Sequence, residues 1–241
     1  MQPVTRSFGL LWDALFLQRD AYAHMRDDDN PFVEGLFILV LLGVLLAVAA
    51  IIGTTLEWAS TPNLDAVRDV VLKNLQTMEW YQFLQQSPGG ESSFLQVWNS
   101  IWNAFAGLAP SPLRSLTGII TRPLGLIVWW LVFGLLAHGL ARVFGGKGTL
   151  NQTLGATALA ASPQLITLLT VLPFVAVAGL GTWTLLCGYM ALRTVHDLSW
   201  PRAVFAALLP PLIIGLVVAL IVSAVLVVGF TIAMASFGGG M

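Results

Sequence analysis

The chain has 241 residues, 57% of them hydrophobic and only 10% charged, far from the balance of water-soluble proteins. A formal net charge of −1 supplies no electrostatic footprint for nucleic acid, and a single cysteine, Cys187, excludes an intrachain disulfide. No Asp, Glu, Lys or Arg interrupts residues 35–56, 123–141, 148–192 or 203–241. A charge at the bilayer centre costs roughly 3 kcal/mol or more, and about 20 apolar residues cross the hydrocarbon core as a helix. The expected fold is therefore all-α: a polytopic membrane protein with five transmembrane helices, an N-terminal amphipathic helix and an extramembrane helical hairpin.

In chain order, residues 1–32 form an inner N-terminal segment. Within 7–26, Phe8, Leu11, Trp12, Leu15, Phe16 and Tyr22 recur at helical spacing, which predicts an amphipathic helix. It would lie in the headgroup plane or pack on the protein's own loops. No cleavable signal or lipidation pattern is visible, so the first span would act as an uncleaved insertion signal. Asp27, Asp28 and Asp29 before Asn30-Pro31 read as a solvated turn.

The first span is predicted over 33–56, with Glu34 at its entrance and Glu57-Trp58 at its exit. Residues 57–122 break the pattern and form an outer insertion. Leu64, Val67, Val71, Leu75, Met78 and Tyr81 predict an amphipathic helix over 64–86. Ser87-Pro88-Gly89-Gly90 makes a turn, and Phe94, Val97, Trp98, Ile101, Trp102 and Phe105 predict a second helix over 92–106. A stiff Pro110-Ser111-Pro112 linker and a short surface helix lead to Arg122-Pro123.

Residues 123–241 form a four-span bundle. The second span covers 124–143. The third covers 151–172, where Gly155, Ala156, Ala160 and Ala161 permit close helix approach and Pro163 should kink the chain. Leu172-Pro173 predicts a tight turn into a fourth span over 174–193. The fifth runs over 203–234, and Pro210-Pro211 is expected to split it into an interfacial segment and a span proper. With the N-terminus inside, Arg6, Arg19, Arg26, Arg142, Lys147, Arg193 and Arg202 fall on the inner side. Arg68, Lys73, Arg114 and Arg122 fall in one long outer loop. Five spans then place the N-terminus in the cytoplasm of a cell-membrane protein and the C-terminus outside.

Candidate chemistry is sparse. Gly145-Gly146-Lys147-Gly148-Thr149 lacks the Walker pattern: position 141 is Ala, and Gly148 follows the lysine. It reads as a flexible inner turn with a lipid-facing Lys147. The histidines His24, His138 and His196 could approach zinc with Asp197, but no pair has helical ligand spacing; His138 reads as an interfacial hydrogen-bonding residue. No nucleophile–base set or carboxylate pair at membrane depth is evident. The sequence is thus read as non-enzymatic, with no catalytic, cofactor-binding or metal-binding residue and no cofactor. Trp129, Trp130 and Trp183 fall within spans, where lipid contact and packing compete with a pigment, a quinone or a partner helix.

Phe144-Gly145-Gly146-Lys147-Gly148-Thr149-Leu150 followed by Gln152-Thr153-Leu154 resembles the Yip family, the membrane proteins named for interaction with Ypt/Rab GTPases, in its bacterial branch. A small-residue helix ending at Pro163, then Trp183, Gly188 and Trp200-Pro201-Arg202-Ala203, is also similar, over about residues 120–215. The resemblance implies five spans and an inside N-terminus; the insertion at 57–118 departs from the family, whose first loop is usually short. In eukaryotes the family implies organisation of membrane traffic, but a Rab partner is not carried over to this chain. The expected role is a membrane scaffold or assembly factor whose partners are lipids and other integral membrane proteins. An accessory subunit of an energy-converting membrane complex is the first alternative, and a transporter of small molecules or lipids the second.

Overall fold

The computed structural model describes residues 2–108, 110–172 and 175–238, and among them every regular element is helical. The helices are α1 (Gln2–Leu15), α2 (Arg19–Arg26), α3 (Pro31–Ser60), α4 (Leu64–Gln76), α5 (Glu79–Gln86), α6 (Gly90–Leu108), α7 (Pro112–Ser115), α8 (Gly118–Val143), α9 (Leu150–Ala158), a 3-10 helix (Leu159–Val171), α10 (Leu180–His196) and α11 (Trp200–Gly238). Four described segments are long and apolar enough to cross a membrane: Pro31–Gln76, Leu113–Val143, Leu150–Val171 and Trp200–Ile232. The predicted turn at Pro173 lies outside the described residues. From Val175 the chain is not helical until Leu180, where α10 begins, and α10 has 17 residues.

The chain divides into two compact units. The first comprises the described parts of Met1–Leu46, Ile120–Thr167 and Val177–Met241. Two buried clusters stand out among its described residues. In one, Phe133, Ala137 and Ala141 of α8 meet Leu192 of α10 and Ala203, Ala206 and Ala207 of α11. In the other, Leu39, Trp130, Leu154 and Ala158 pack together, with Phe32 stacked on Trp130 at 5.5 Å. Small residues dominate because helices in lipid gain nothing from hiding Leu from lipid, whereas close backbone approach adds dispersion contacts.

The N-terminal segment corrects a sequence expectation. The helix predicted over 7–26 is broken at Phe16–Gln18, where Leu17 adopts a left-handed φ of 58°. The two halves fold back as a hairpin: Arg6 at the start of α1 bonds His24 and Asp28 near the end of α2. The hairpin lies along α10. The Trp183 indole donates to the Leu15 carbonyl (2.7 Å) at one end, and Arg26 donates to the Thr194 carbonyl (3.3 Å) at the other. Leu11, Ala14, Tyr22 and Met25 are fully buried, whereas Trp12 and Phe16 remain exposed. The apolar stripe thus serves the protein's own body, and only its aromatic margin faces outward.

Two prolines behave differently from each other. The third apolar segment winds as α-helix to Ala158 and as 3-10 helix from Leu159, because Pro163 cannot donate to the carbonyl one turn back. At 1.5 Å per α residue and 2.0 Å per 3-10 residue, the 22-residue segment reaches about 40 Å. Pro210-Pro211, expected to split the last span, instead lies inside one continuous helix of 39 residues. The residues one turn earlier are Ala206 and Ala207, small and buried, so no branched side chain competes with the rings.

The second unit comprises Ala47–Ile119 and, among described residues, Leu168–Ala176. The helix predicted over 64–86 is two helices. Thr77 donates its hydroxyl to the Asn74 carbonyl, Met78 is extended, and α5 restarts at Glu79. The α4–α5 arm meets α6 through Arg68–Asn99 (2.6 Å) and Tyr81–Glu91 (2.9 Å). An aromatic row, Tyr81, Phe94, Trp98, Trp102 and Phe105, runs up the interface. Arg68 Nε and Trp98 Nε1 are buried there without an acceptor.

Candidate functional site: a hydrogen-bonded junction of helix ends

Five helices of the first unit begin or end at one level. α3 and α9 meet where the Phe32 amide donates to Asn151 Oδ1 (3.0 Å). The α8–α9 turn meets α10 where the Lys147 amide donates to the His196 carbonyl (3.3 Å). It meets α11 where Arg202 donates to the Phe144 carbonyl (3.4 Å). The Gln152 side-chain NH2 donates to the Arg26 carbonyl (3.2 Å), which fastens the N-terminal hairpin to the same place.

The glycine-lysine turn is not the flexible loop expected of it. Gly146 and Gly148 are buried against His196 and Val195, and a Cβ on Gly146 would sit 2.6 Å from His196 Nδ1 and 2.8 Å from the Ala141 carbonyl. A Cβ on Gly148 would collide with Val195. Gly145 takes a left-handed φ of 87°. Lys147 is exposed. The turn feeds α9 through a capping box: the Thr149 hydroxyl accepts from the Gln152 amide, and the Gln152 side chain accepts from the Thr149 amide.

Thr153 is the centre. Its hydroxyl lies 2.9 Å from His138 Nδ1 and 2.9 Å from His196 Nε2, and it donates to the Thr149 carbonyl at 2.8 Å. The Gly148 amide donates to His196 Nδ1 at 3.2 Å. Proton positions follow from this count. His196 Nδ1 accepts, so its proton is on Nε2 and is donated to Thr153. The Thr153 proton is used by the Thr149 carbonyl, so His138 donates from Nδ1. Burial pushes His196 down to about 4, and the neighbouring His138 and Arg142 act in the same direction while Asp197 opposes them. At neutral pH His196 is an uncharged imidazole with both nitrogens committed.

His138 therefore makes the kind of hydrogen bond expected of it, and the fold brings His196 to it with ring centroids 5.4 Å apart. His24 is elsewhere, receiving a bond from Arg6 (2.7 Å). Among the described residues no group of three or more His, Cys, Asp and Glu side chains is placed to hold a metal ion. The Asp27–Asp29 run divides its work. Asp27 takes both arms of Arg26 (2.7 and 2.9 Å), which holds its carboxyl below the usual range, and Asp28 pairs with Arg6. Cys187 is buried, donating to the Ala14 carbonyl (3.5 Å) with Ser162 Oγ at 3.7 Å. Thr153 and Gln152 stood in the motif, but their joint role needed the 43-residue separation to His196, which no local spacing shows.

Apolar segments of spanning length and a polar junction that ties their ends together define an integral, multi-pass membrane protein. The Yip1 domain matches residues 12–222, most of the chain, and the protein belongs to the Yip1 family. No curated protein and no solved structure matches the chain.

Proposed function

We propose that the protein is a non-enzymatic scaffold or assembly factor, holding other integral membrane proteins or lipid around a five-pass bundle. The observation that carries this is the surface of α11. From Gly215 onward its described side chains are exposed round the whole helix, among them Leu216 at 63% and Leu220 at 63%. A helix apolar on every side and covered by none of the described residues needs lipid or partner helices around it.

Five passes, with the N-terminus cytoplasmic and the C-terminus outside a cell membrane, are supported by the alternation of helix ends. α3 leaves the junction, α8 returns to it, α9 leaves, α10 returns and α11 leaves. The return through α10 supplies the fifth crossing although that helix has only 17 residues. The non-enzymatic reading draws on the ring protons assigned to His138 and His196, both engaged with Thr153 in holding helices together.

The test is purification from native membranes in mild detergent with identification of co-migrating proteins, for the parent and for a Leu216→Glu, Leu220→Glu variant. Specific membrane-protein partners lost in the variant support the scaffold. Stoichiometric recovery within an energy-converting complex favours the accessory-subunit alternative. Solute or lipid uptake by vesicles holding the purified chain alone favours the transporter.

A further inference from the structure

The first unit contains a cavity of about 290 Å³ between α3, α8, the third apolar segment, α10 and α11. Its wall carries no charged side chain. One side is aromatic, built by Trp129, Trp130 and Phe133. The space exists because Ala160, Ala161 and Gly181 stand where larger side chains would fill it.

The polar groups in the wall are decisive. The Trp130 indole donates to the Leu154 carbonyl (2.8 Å) and the Thr157 hydroxyl to the Thr153 carbonyl (2.7 Å), so both are satisfied. Gln164 and Thr184, both half-buried, line the same space, and among the described residues neither side chain has a hydrogen-bond partner. An unpaired amide in an apolar setting costs roughly 1–3 kcal/mol. Gln164 lies one 3-10 turn after Ala161, and residues three apart eclipse in that winding, so both belong to the same face. The pairing of two free donors with an aromatic, uncharged wall describes a binding site.

We propose that this cavity binds an apolar, membrane-dissolved molecule through a carbonyl group, which accepts from the Gln164 amide and the Thr184 hydroxyl while its body lies against Trp129, Trp130 and Phe133. A methylene group fills about the volume of a water molecule, ~30 Å³, so the cavity takes a group of about ten heavy atoms and leaves any longer tail in the bilayer. A quinone ring and the ester end of a lipid acyl chain both present this chemistry. The site is independent of the scaffold role.

The full chain in detergent, washed free of lipid, is titrated with a short-tailed quinone, with a diester phospholipid brominated on its acyl chain, and with bromododecane. Quenching of tryptophan fluorescence is read for the parent, Gln164→Leu and Ala161→Phe. Saturable quenching is expected from the quinone or from the ester lipid, and whichever saturates names the source. It disappears in Ala161→Phe, which fills the cavity, and weakens about five-fold in Gln164→Leu, a shape-conserving change that removes one neutral hydrogen bond. Quenching that rises linearly for both carbonyl probes, that is unchanged in Gln164→Leu, or that saturates as tightly with bromododecane overturns the proposal.

Discussion

His138 and His196, 58 residues apart, address one hydroxyl, each with a ring nitrogen 2.9 Å from Thr153 Oγ1. That hydroxyl joins α8, α9 and α10 with a single side chain. Thr153→Val keeps the volume but strands two imidazole donors in a buried place, at about 1–3 kcal/mol for the unpaired groups. Thr153→Ser retains the oxygen. Thermal unfolding in mild detergent should show a clear drop in Tm for Val and a small one for Ser. Equal drops would mean that packing of the methyl, not the hydrogen bonds, matters.

The His196 environment gives the junction a pH dependence. Its folded value near 4 lies below the ordinary 6.5, so the unfolded chain binds more protons between those values. The stability His196 contributes is fully present above pH 6.5 and is lost as pH falls toward 4. The full depression corresponds to about 3 kcal/mol. The Tm of the parent should fall across that window, and His196→Asn should flatten the profile. An unchanged slope in the variant would place the acid sensitivity elsewhere.

Gly148 lies against Val195 with no room for a Cβ. Gly148→Ala must push the turn away from α10 and so lengthen the bond from the Gly148 amide to His196 Nδ1. A loss of about 1–3 kcal/mol is expected, together with new proteolytic access near Lys147. A variant as stable and as protease-resistant as the parent would show that the turn yields freely.

How much of this could be read from sequence varied with the range of the interaction. Charge-free stretches and the helical spacing of Leu64, Val67 and Val71 are local, and the helices followed from them. Asn30-Pro31 and Pro163 marked boundaries because proline acts on its own turn. Pro210-Pro211 misled because the outcome depends on what packs around Ala206 and Ala207. The glycine turn looked loose because nothing local shows that His196 closes on it. The cavity was hinted at only by Trp129 and Trp130, whose spacing cannot show that small residues on other helices leave the space open.

The N-terminal hairpin separates two kinds of apolar residue on one helix. Leu11 is fully buried, and Trp12 beside it is exposed at 58%. Leu11→Ala should cost about 2–5 kcal/mol through the cavity it leaves. Trp12→Ser should leave the Tm of the detergent-purified protein nearly unchanged. The reverse order would mean that the hairpin lies on lipid rather than on α10.

Orientation is checked by cysteine labelling in a Cys187→Ser background. Asp29, Lys147 and Ser199 lie at the junction end, and Ser87 lies in the turn between α5 and α6. In intact cells an impermeant maleimide should label Ser87→Cys and Ser236→Cys, and should label the other three only after lysis. Labelling of Lys147→Cys in intact cells would reverse the topology.

The small residues of the third apolar segment lie close against α3. Gly155 is buried under Pro31, where a Cβ would fall 2.6 Å from the Pro31 carbonyl oxygen. On the facing helix, a Cβ on Gly35 would lie 2.9 Å from Ala158 Cβ and 3.2 Å from Gly155 Cα. The backbones of α3 and α9 therefore cross in contact, and both glycines are spent on the protein's own bundle. Gly155→Ala must separate the two helices and loosen the Phe32–Asn151 bond beside them, at about 1–3 kcal/mol. The isolated protein in detergent should melt earlier. If Gly155→Ala leaves the isolated chain as stable as the parent but removes a protein that co-purifies with it, the small-residue face belongs to a partner helix, and the accessory-subunit reading gains over the scaffold.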